Sequence, residues 1–210
     1  MTKSSPVSGL LVPVAGPRRW AGFAVALSGT FLANVTVFIV VVALPSIGSQ
    51  LGASGAQQQL ILAGYELVYA IGVVPGGRLG DAFGQFRVFG AGMGLFIVAS
   101  AGCALAPSAT LLVGARLVQA AGTALIVPQV YSLARTLFGS RERARAFALA
   151  GVVMGAGAIA GQALGGLLIS VDPFGMGWRV IFWLNLPVGA AALALLPAVA
   201  VRARRAASPG

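Results

Sequence analysis

The chain has 210 residues, 58% of them hydrophobic and only 9% charged, with a formal net charge of +10 and a mean hydropathy of +0.94. A soluble domain keeps about a quarter of its residues charged, so this composition excludes a water-facing surface of the ordinary kind. The question becomes how many bilayer crossings fit, at about 20 apolar residues each.

Residues 1–19, "MTKSSPVSGLLVPVAGPRR", hold no continuous apolar core and are broken by prolines, so they read as a disordered tail rather than a targeting peptide. Six apolar runs follow and predict transmembrane helices at 20–44, 58–77, 88–106, 109–136, 146–170 and 180–201. The first, third, fifth and sixth are uncharged, the second carries Glu66 and the fourth carries Arg116. Residues 202–210 form a second, basic tail. Buried helices of a large soluble protein do not account for six runs with almost no polar face. The expected fold is an all-α integral membrane domain of six helices.

The basic residues set the expected orientation. Lys3, Arg18 and Arg19 precede the first run, and Arg78 and Arg87 lie between the second and third. Arg135 lies at the end of the fourth, Arg141, Arg143 and Arg145 lie between the fourth and fifth, and Arg202, Arg204 and Arg205 follow the sixth. The opposite connections, "SIGSQLGASGAQQQ", "APSA" and "VDPFGMGWR", carry only Arg179. This asymmetry predicts both termini in the cytoplasm and a place in the plasma (inner) membrane. It also accounts for the net charge without nucleic acid, since the basic residues are spread over four segments suited to contact with anionic lipid.

Catalytic and metal sites find little support. The chain has no histidine and a single cysteine, Cys103, inside the third span, where packing is the expected role. Glu66 and Asp81 share a helix but lie near opposite membrane faces, so they form no paired-carboxylate site. No cofactor is implied, and neither an intramembrane enzyme nor a lone channel has a motif to rest on.

Glu66 and Arg116 stand out physically. Both sit roughly 10 to 12 Å from the same membrane face at 1.5 Å per residue. An ionisable group at that depth costs at least a few kcal/mol unless it meets a cavity or a partner. Both are expected to face the bundle interior, as a substrate- or proton-linked site or as a structural ion pair. Gly157, Gly161 and Gly165 recur every four residues and make a small-residue stripe, which lets helices approach closely in lipid. The stripe serves either static packing or a helix face that moves against a neighbour. The turn "GGRLGDAFGQFR" has glycines for tight turning, and Asp81 can pair with Arg78 or Arg87 or cap the helix end.

Several stretches together carry a family resemblance. Gly77, Leu79, Asp81, Gly84 and Arg87 resemble the G-x-L-x-D-x-x-G-[RK]-[RK] signature of the major facilitator superfamily, found between its helices 2 and 3. "RLVQAAGTA", with Arg116 and Gln119, resembles its helix 4 motif, and "GAGAIAGQALGG", with Gly157, Gly161, Gly165 and Gly166, its helix 5 antiporter motif. "VVVALPSI" and "GWRVIFWLNLPVG" are similar to helix 1 and the helix 5 to 6 region of its fourteen-helix drug:proton antiporters. The departures are Gln85 and Phe86 at basic positions, Gln162 in place of a proline, Thr36 in place of a helix 1 acid and Val41 in place of an asparagine.

The resemblance implies one six-helix half of a transporter bundle, built as two inverted three-helix repeats. It implies proton-coupled efflux of a small organic compound, with Arg116, Gln119, Glu66, Thr36 and Asn34 in the cavity. Gly77, Asp81, Gly84 and Arg87 would form a cytoplasmic gate, and Gly157, Gly161, Gly165 and Gly166 a helix-packing face. The expected partners are the lipid bilayer, the substrate and a second half of six or eight helices or another copy of the chain. A monomer would then leave the helix 5 glycine face open to lipid. A transport-inactive truncated or regulatory protein is the alternative, favoured by Thr36.

Overall fold

The computed structural model describes residues 17–207. Six helices long and apolar enough to cross a membrane run through it. They are α1, Pro17–Leu51; α2, Gly55–Phe83; α3, Gln85–Ala104; α4, Ala109–Leu137; α5, Ser140–Val171; and α6. This last opens with a 3-10 turn, Gly177–Arg179, and one helical turn, Val180–Trp183, before continuing as Asn185–Ala207. The prediction of disordered tails lies outside the described residues for 1–16 and 208–210. Within them it is corrected at both ends, since Pro17–Arg19 and residues 202–207 are helical.

Helices also reach further into the connections than hydropathy suggests. α1 runs through Pro45 to Leu51, because a helix in lipid tolerates the one backbone hydrogen bond that proline removes when neighbouring helices hold it. α2 then starts at Gly55 behind a capping box: Ser54 Oγ accepts from Gln57 N at 3.3 Å, and Gln57 Oε1 accepts from Ser54 N at 3.0 Å. Most of the stretch read as a loop is therefore helix.

α1 and α4 are the central helices. The principal packed pairs are α2–α4 and α5–α1, α3–α4 and α6–α1, together with α1–α4 and α3–α6. Exchanging α1 with α4, α2 with α5 and α3 with α6 leaves that set unchanged. Because α1 and α4 cross in opposite directions, this is the contact pattern of two inverted three-helix repeats.

The stripe of Gly157, Gly161 and Gly165 lies in one of these seams. A Cβ on Gly157 would meet Phe31 O at 3.0 Å, and one on Gly161 would meet Val35 O at 2.6 Å. The glycines pack on α1 of the same six-helix unit, which corrects the expectation that this face is left open to lipid. Gly166 has nothing within 4 Å of such a Cβ and is off the seam. The symmetry-related seam, α2 on α4, uses Gly72, Gly76 and Gly80, where added Cβ atoms would run into Ala124 and the Gln129 amide.

The interior is apolar at both ends. Phe23, Phe89, Met93, Phe96, Leu133 and Phe138 belong to one cluster, at the end that carries both termini. Ile39, Ile47, Ile61, Cys103, Leu112, Trp178 and Phe182 belong to the other. The end with the termini is also where the arginines gather, and we call it the basic end. Leu67, Ile71, Val98, Val152 and Ile159 are among the large apolar side chains exposed on the outside, the surface expected of a protein solvated by acyl chains.

Candidate functional site

Between the two apolar clusters lies a belt of buried polar side chains. Thr36 of α1, Ser100 of α3, Arg116 and Gln119 of α4 and Asn185 of α6 are all 1% exposed or less. Thr36 Oγ1 lies 3.0 Å from Asn185 Oδ1, and Asn185 Nδ2 donates to Ser100 Oγ at 3.3 Å. Gln119 Nε2 donates to the same Ser100 Oγ at 2.7 Å. Ser100 sends its own hydrogen to Phe96 O at 2.8 Å, so one hydroxyl makes every hydrogen bond it can. Gln119 Oε1 accepts from Arg116 Nη1 at 2.6 Å. The chain of bonds crosses four helices, and each buried group in it has a partner, the condition under which such a network is tolerated.

Arg116 is held without a carboxylate. Its guanidinium lies over the Tyr65 ring, 4.0 Å from the centroid, and Nε donates to Ile61 O at 3.3 Å. That carbonyl lies in the π turn Leu60–Gly64. The Tyr65 N–H is directed at Leu62 O and not, as in a regular α-helix, at Ile61 O. Tyr65 in turn shares a hydrogen bond of 2.7 Å with Thr123 of α4. A local widening of α2 thus supplies an oxygen to a buried cation, one of the uses to which π turns are put.

The predicted cavity residues divide into two groups. Arg116 and Gln119 are inside the belt, and Thr36 is buried with them, behind the cavity surface and not on it. Glu66 is exposed and, with Asn34, lines a cavity of about 230 Å³ whose other walls include Phe38, Tyr65, Tyr69, Thr123 and Met154. Glu66 opens onto this cavity, whereas Arg116 is buried among the helices. No ion pair joins the two among the described residues, where the ion pair present is Arg19–Glu142 at 2.5 Å.

The motif at the basic end is similarly rearranged. Gly84 has φ +95° and alone connects α2 to α3. Asp81 accepts from Ser132 Oγ at 3.5 Å, the outer limit of a hydrogen bond, and among the described residues it pairs with neither Arg78 nor Arg87; all three are exposed. Gln85, the departure from the basic pattern, donates to Ser132 Oγ at 2.8 Å and accepts from Thr136 at 3.2 Å. Gly77 is near Pro128. The close approach falls instead on Gly76 and Gly80, where Gln129 Nε2 donates to Gly76 O at 2.9 Å.

Sequence reasoning passed over Tyr65, Ser100, Thr123, Gln129 and Asn185. A usable signal existed for three of them: Ser100, Gln129 and Asn185 are each a hydrogen-bonding residue inside a long apolar run, where an unpartnered one would be expensive. No comparable signal marks the Ile61 carbonyl.

Comparison with known proteins agrees with this architecture. Residues 5–210 match the family model described as Major Facilitator Superfamily. The chain is 39% identical to a probable actinorhodin transporter of Streptomyces coelicolor over 87% of its own length and 33% of the relative's. It is 36% identical to a puromycin resistance protein of Streptomyces alboniger, over 84% of the chain and 35% of the relative. The crystal structure of a peptide transporter in complex with sulfate aligns with a TM-score of 0.68 at 20% identity, over 90% of this chain and 39% of that one. The chain spans about a third of the length of the curated relatives it matches. Six packed apolar helices, the repeat symmetry and the family match lead to one assignment: the chain belongs to the Major Facilitator Superfamily.

Proposed function

We propose that the chain forms one wall of a secondary active exporter that moves small organic compounds out of the cell by alternating access, coupled to protons. The observation that carries this reading is the cavity lined by Glu66 and Asn34, open on one side and backed by a buried cation, Arg116, whose partners come from α2 and α4. A group of that kind inside a membrane domain is costly and is kept where substrate or ions pass. Relatives named for antibiotic transport and resistance support efflux as the direction. The similarity to fourteen-helix antiporters supports proton coupling, and the arginine bias supports a cytoplasmic basic end in the plasma membrane. Gly77, Asp81, Gly84 and Arg87 would then sit at the cytoplasmic mouth. The second wall is a further half of six or eight helices or a second copy of the chain.

The test is accumulation of a labelled antibiotic in a drug-hypersensitive bacterium producing the chain. Reduced accumulation, restored by a protonophore and by Arg116→Ala, is the expected result. The alternative, a transport-inactive or regulatory protein, draws on Thr36, which puts a hydroxyl where the family resemblance calls for a helix 1 acid. Unchanged accumulation with the chain present in the membrane as a stable dimer, sized by detergent-corrected light scattering, would sink the exporter reading for the self-paired chain. A monomer would direct the same assay to co-production with a second half.

A further inference from the structure

Nearer the basic end, α2 and α4 line a second cavity of about 420 Å³. Two guanidiniums stand in its wall, from Arg78 of α2 and Arg135 of α4, and both residues are exposed. Neither has an ion-pair partner among the described residues. Arg135 is braced by its own backbone surroundings. Its Nε donates to Tyr131 O at 3.4 Å, and its carbonyl accepts from Arg143 Nη2 at 3.3 Å. Asp81 shares the wall and is engaged with Ser132 Oγ, so the three charged side chains leave one positive charge in excess.

The wall changes character along both helices, which run in the same direction toward the basic end. Val74 and Tyr131 are one turn back from the two arginines, and Tyr69 and Val127 are about two turns back. The Tyr131 hydroxyl is spent on Met154 Sδ at 3.2 Å. The cavity is thus charged at one end and apolar or aromatic for roughly 12 Å behind it, at 1.5 Å per residue. We propose that it holds an anionic phospholipid, with the phosphodiester between Arg78 and Arg135 and the start of one chain along Val74, Tyr131 and Val127. A guanidinium presents paired donors that match phosphate oxygens, and basic pockets between transmembrane helices suit such headgroups. A phosphodiester carries a single negative charge, which balances the excess. Binding here does not require export.

The test is native mass spectrometry of the 210-residue chain in detergent, titrated with phosphatidylglycerol, phosphatidylcholine or the free headgroup glycerophosphoglycerol. One phosphatidylglycerol per chain should bind ahead of the others and persist at high ionic strength, where diffuse attraction to the basic end is screened. Arg78→Gln and Arg135→Gln should each weaken that first lipid by roughly fivefold or more, the size expected of one arginine at an anionic headgroup. Arg135→Lys should keep part of the affinity, since the charge remains and the planar fork is lost. Arg141→Gln removes an exposed charge at the same end, outside the cavity wall, and should change little. Helical content and elution volume should match the wild type in all four variants. Absence of a retained phosphatidylglycerol, or equal affinity for phosphatidylcholine, would overturn the charge selection. An equal loss on Arg141→Gln would reduce the site to diffuse attraction and overturn it. Competition by the free headgroup at the lipid's own concentration would overturn the role of the apolar wall and assign the arginines to a soluble phosphodiester.

Discussion

The seams α2–α4 and α5–α1 are related by the internal repeat, and each is built on glycines four residues apart, yet they are held by different means. In α2–α4 the hydrogen bonds are deep inside. Gln129 donates to Gly76 O, Tyr65 bonds to Thr123 and Arg116 bonds to Ile61 O. In α5–α1 the glycines meet backbone and carbon, at Phe31 O, Val35 O and the Ile39 and Val42 side chains, and the polar tie is the Arg19–Glu142 ion pair at the basic end. The same small-residue spacing therefore yields one seam pinned along its depth and one pinned at its edge. Close approach comes from the glycines, whereas rigidity comes from what is bonded across them.

Substitutions can break this contrast. The largest effect is expected at Gly76, where a new side chain would enter the Ala124 carbonyl, part of the backbone. Gly76→Val should abolish monodisperse folded protein in detergent. Gly161→Val, against Val35 O, should cost roughly 1–3 kcal/mol, read as a lowered thermal midpoint. A midpoint as low for Gly165→Ala, whose Cβ has contacts no closer than 3.1 Å, would contradict the ranking.

Next in size is a coupled pair. Gly80→Ala pushes against the Gln129 amide, the movable end of a side chain. It should destabilise the wild type by about 1 kcal/mol or more and much less once Gln129→Ala has cleared the space. Additive midpoints in that double-mutant cycle would show that Gln129 does not fill the α2–α4 seam.

Glu142→Gln should have a smaller effect, of about 1 kcal/mol or less. It should also remove a salt dependence of the midpoint, compared at low and high ionic strength, that Gln129→Ala leaves intact. Smallest of all, and opposite in sign, Gly166→Ala should raise the midpoint slightly by restricting the unfolded chain, because nothing lies where its Cβ would go.

The six spans were legible because acyl chains demand long apolar runs, and that demand is written directly into composition. Their ends were less legible. Pro45 reads as a stop, but α1 passes through it, and the Ser54–Gln57 capping box was hidden in a stretch that looks like polar linker. Arg116 and Gln119 were identifiable as buried polar groups, but not their partners, since hydropathy says nothing of which helix lies opposite. Thr36 shows this most clearly: its place on α1 suggested the cavity, and its bond to Asn185, 149 positions away, turns it inward. Gly157, Gly161 and Gly165 announced a close contact without naming α1 as its other side.

Gly84 connects α2 to α3 as a single residue whose φ of +95° an L side chain rarely adopts. Gln85, immediately after it, is bonded to Ser132 and Thr136 of α4. The joint has no slack. A longer linker would absorb a sliding or tilting of α2, but here that displacement has to pass at once into the end of α3 and, through Gln85, into α4. Three of the six helices are in this sense one lever, with its fulcrum at a residue that has no side chain.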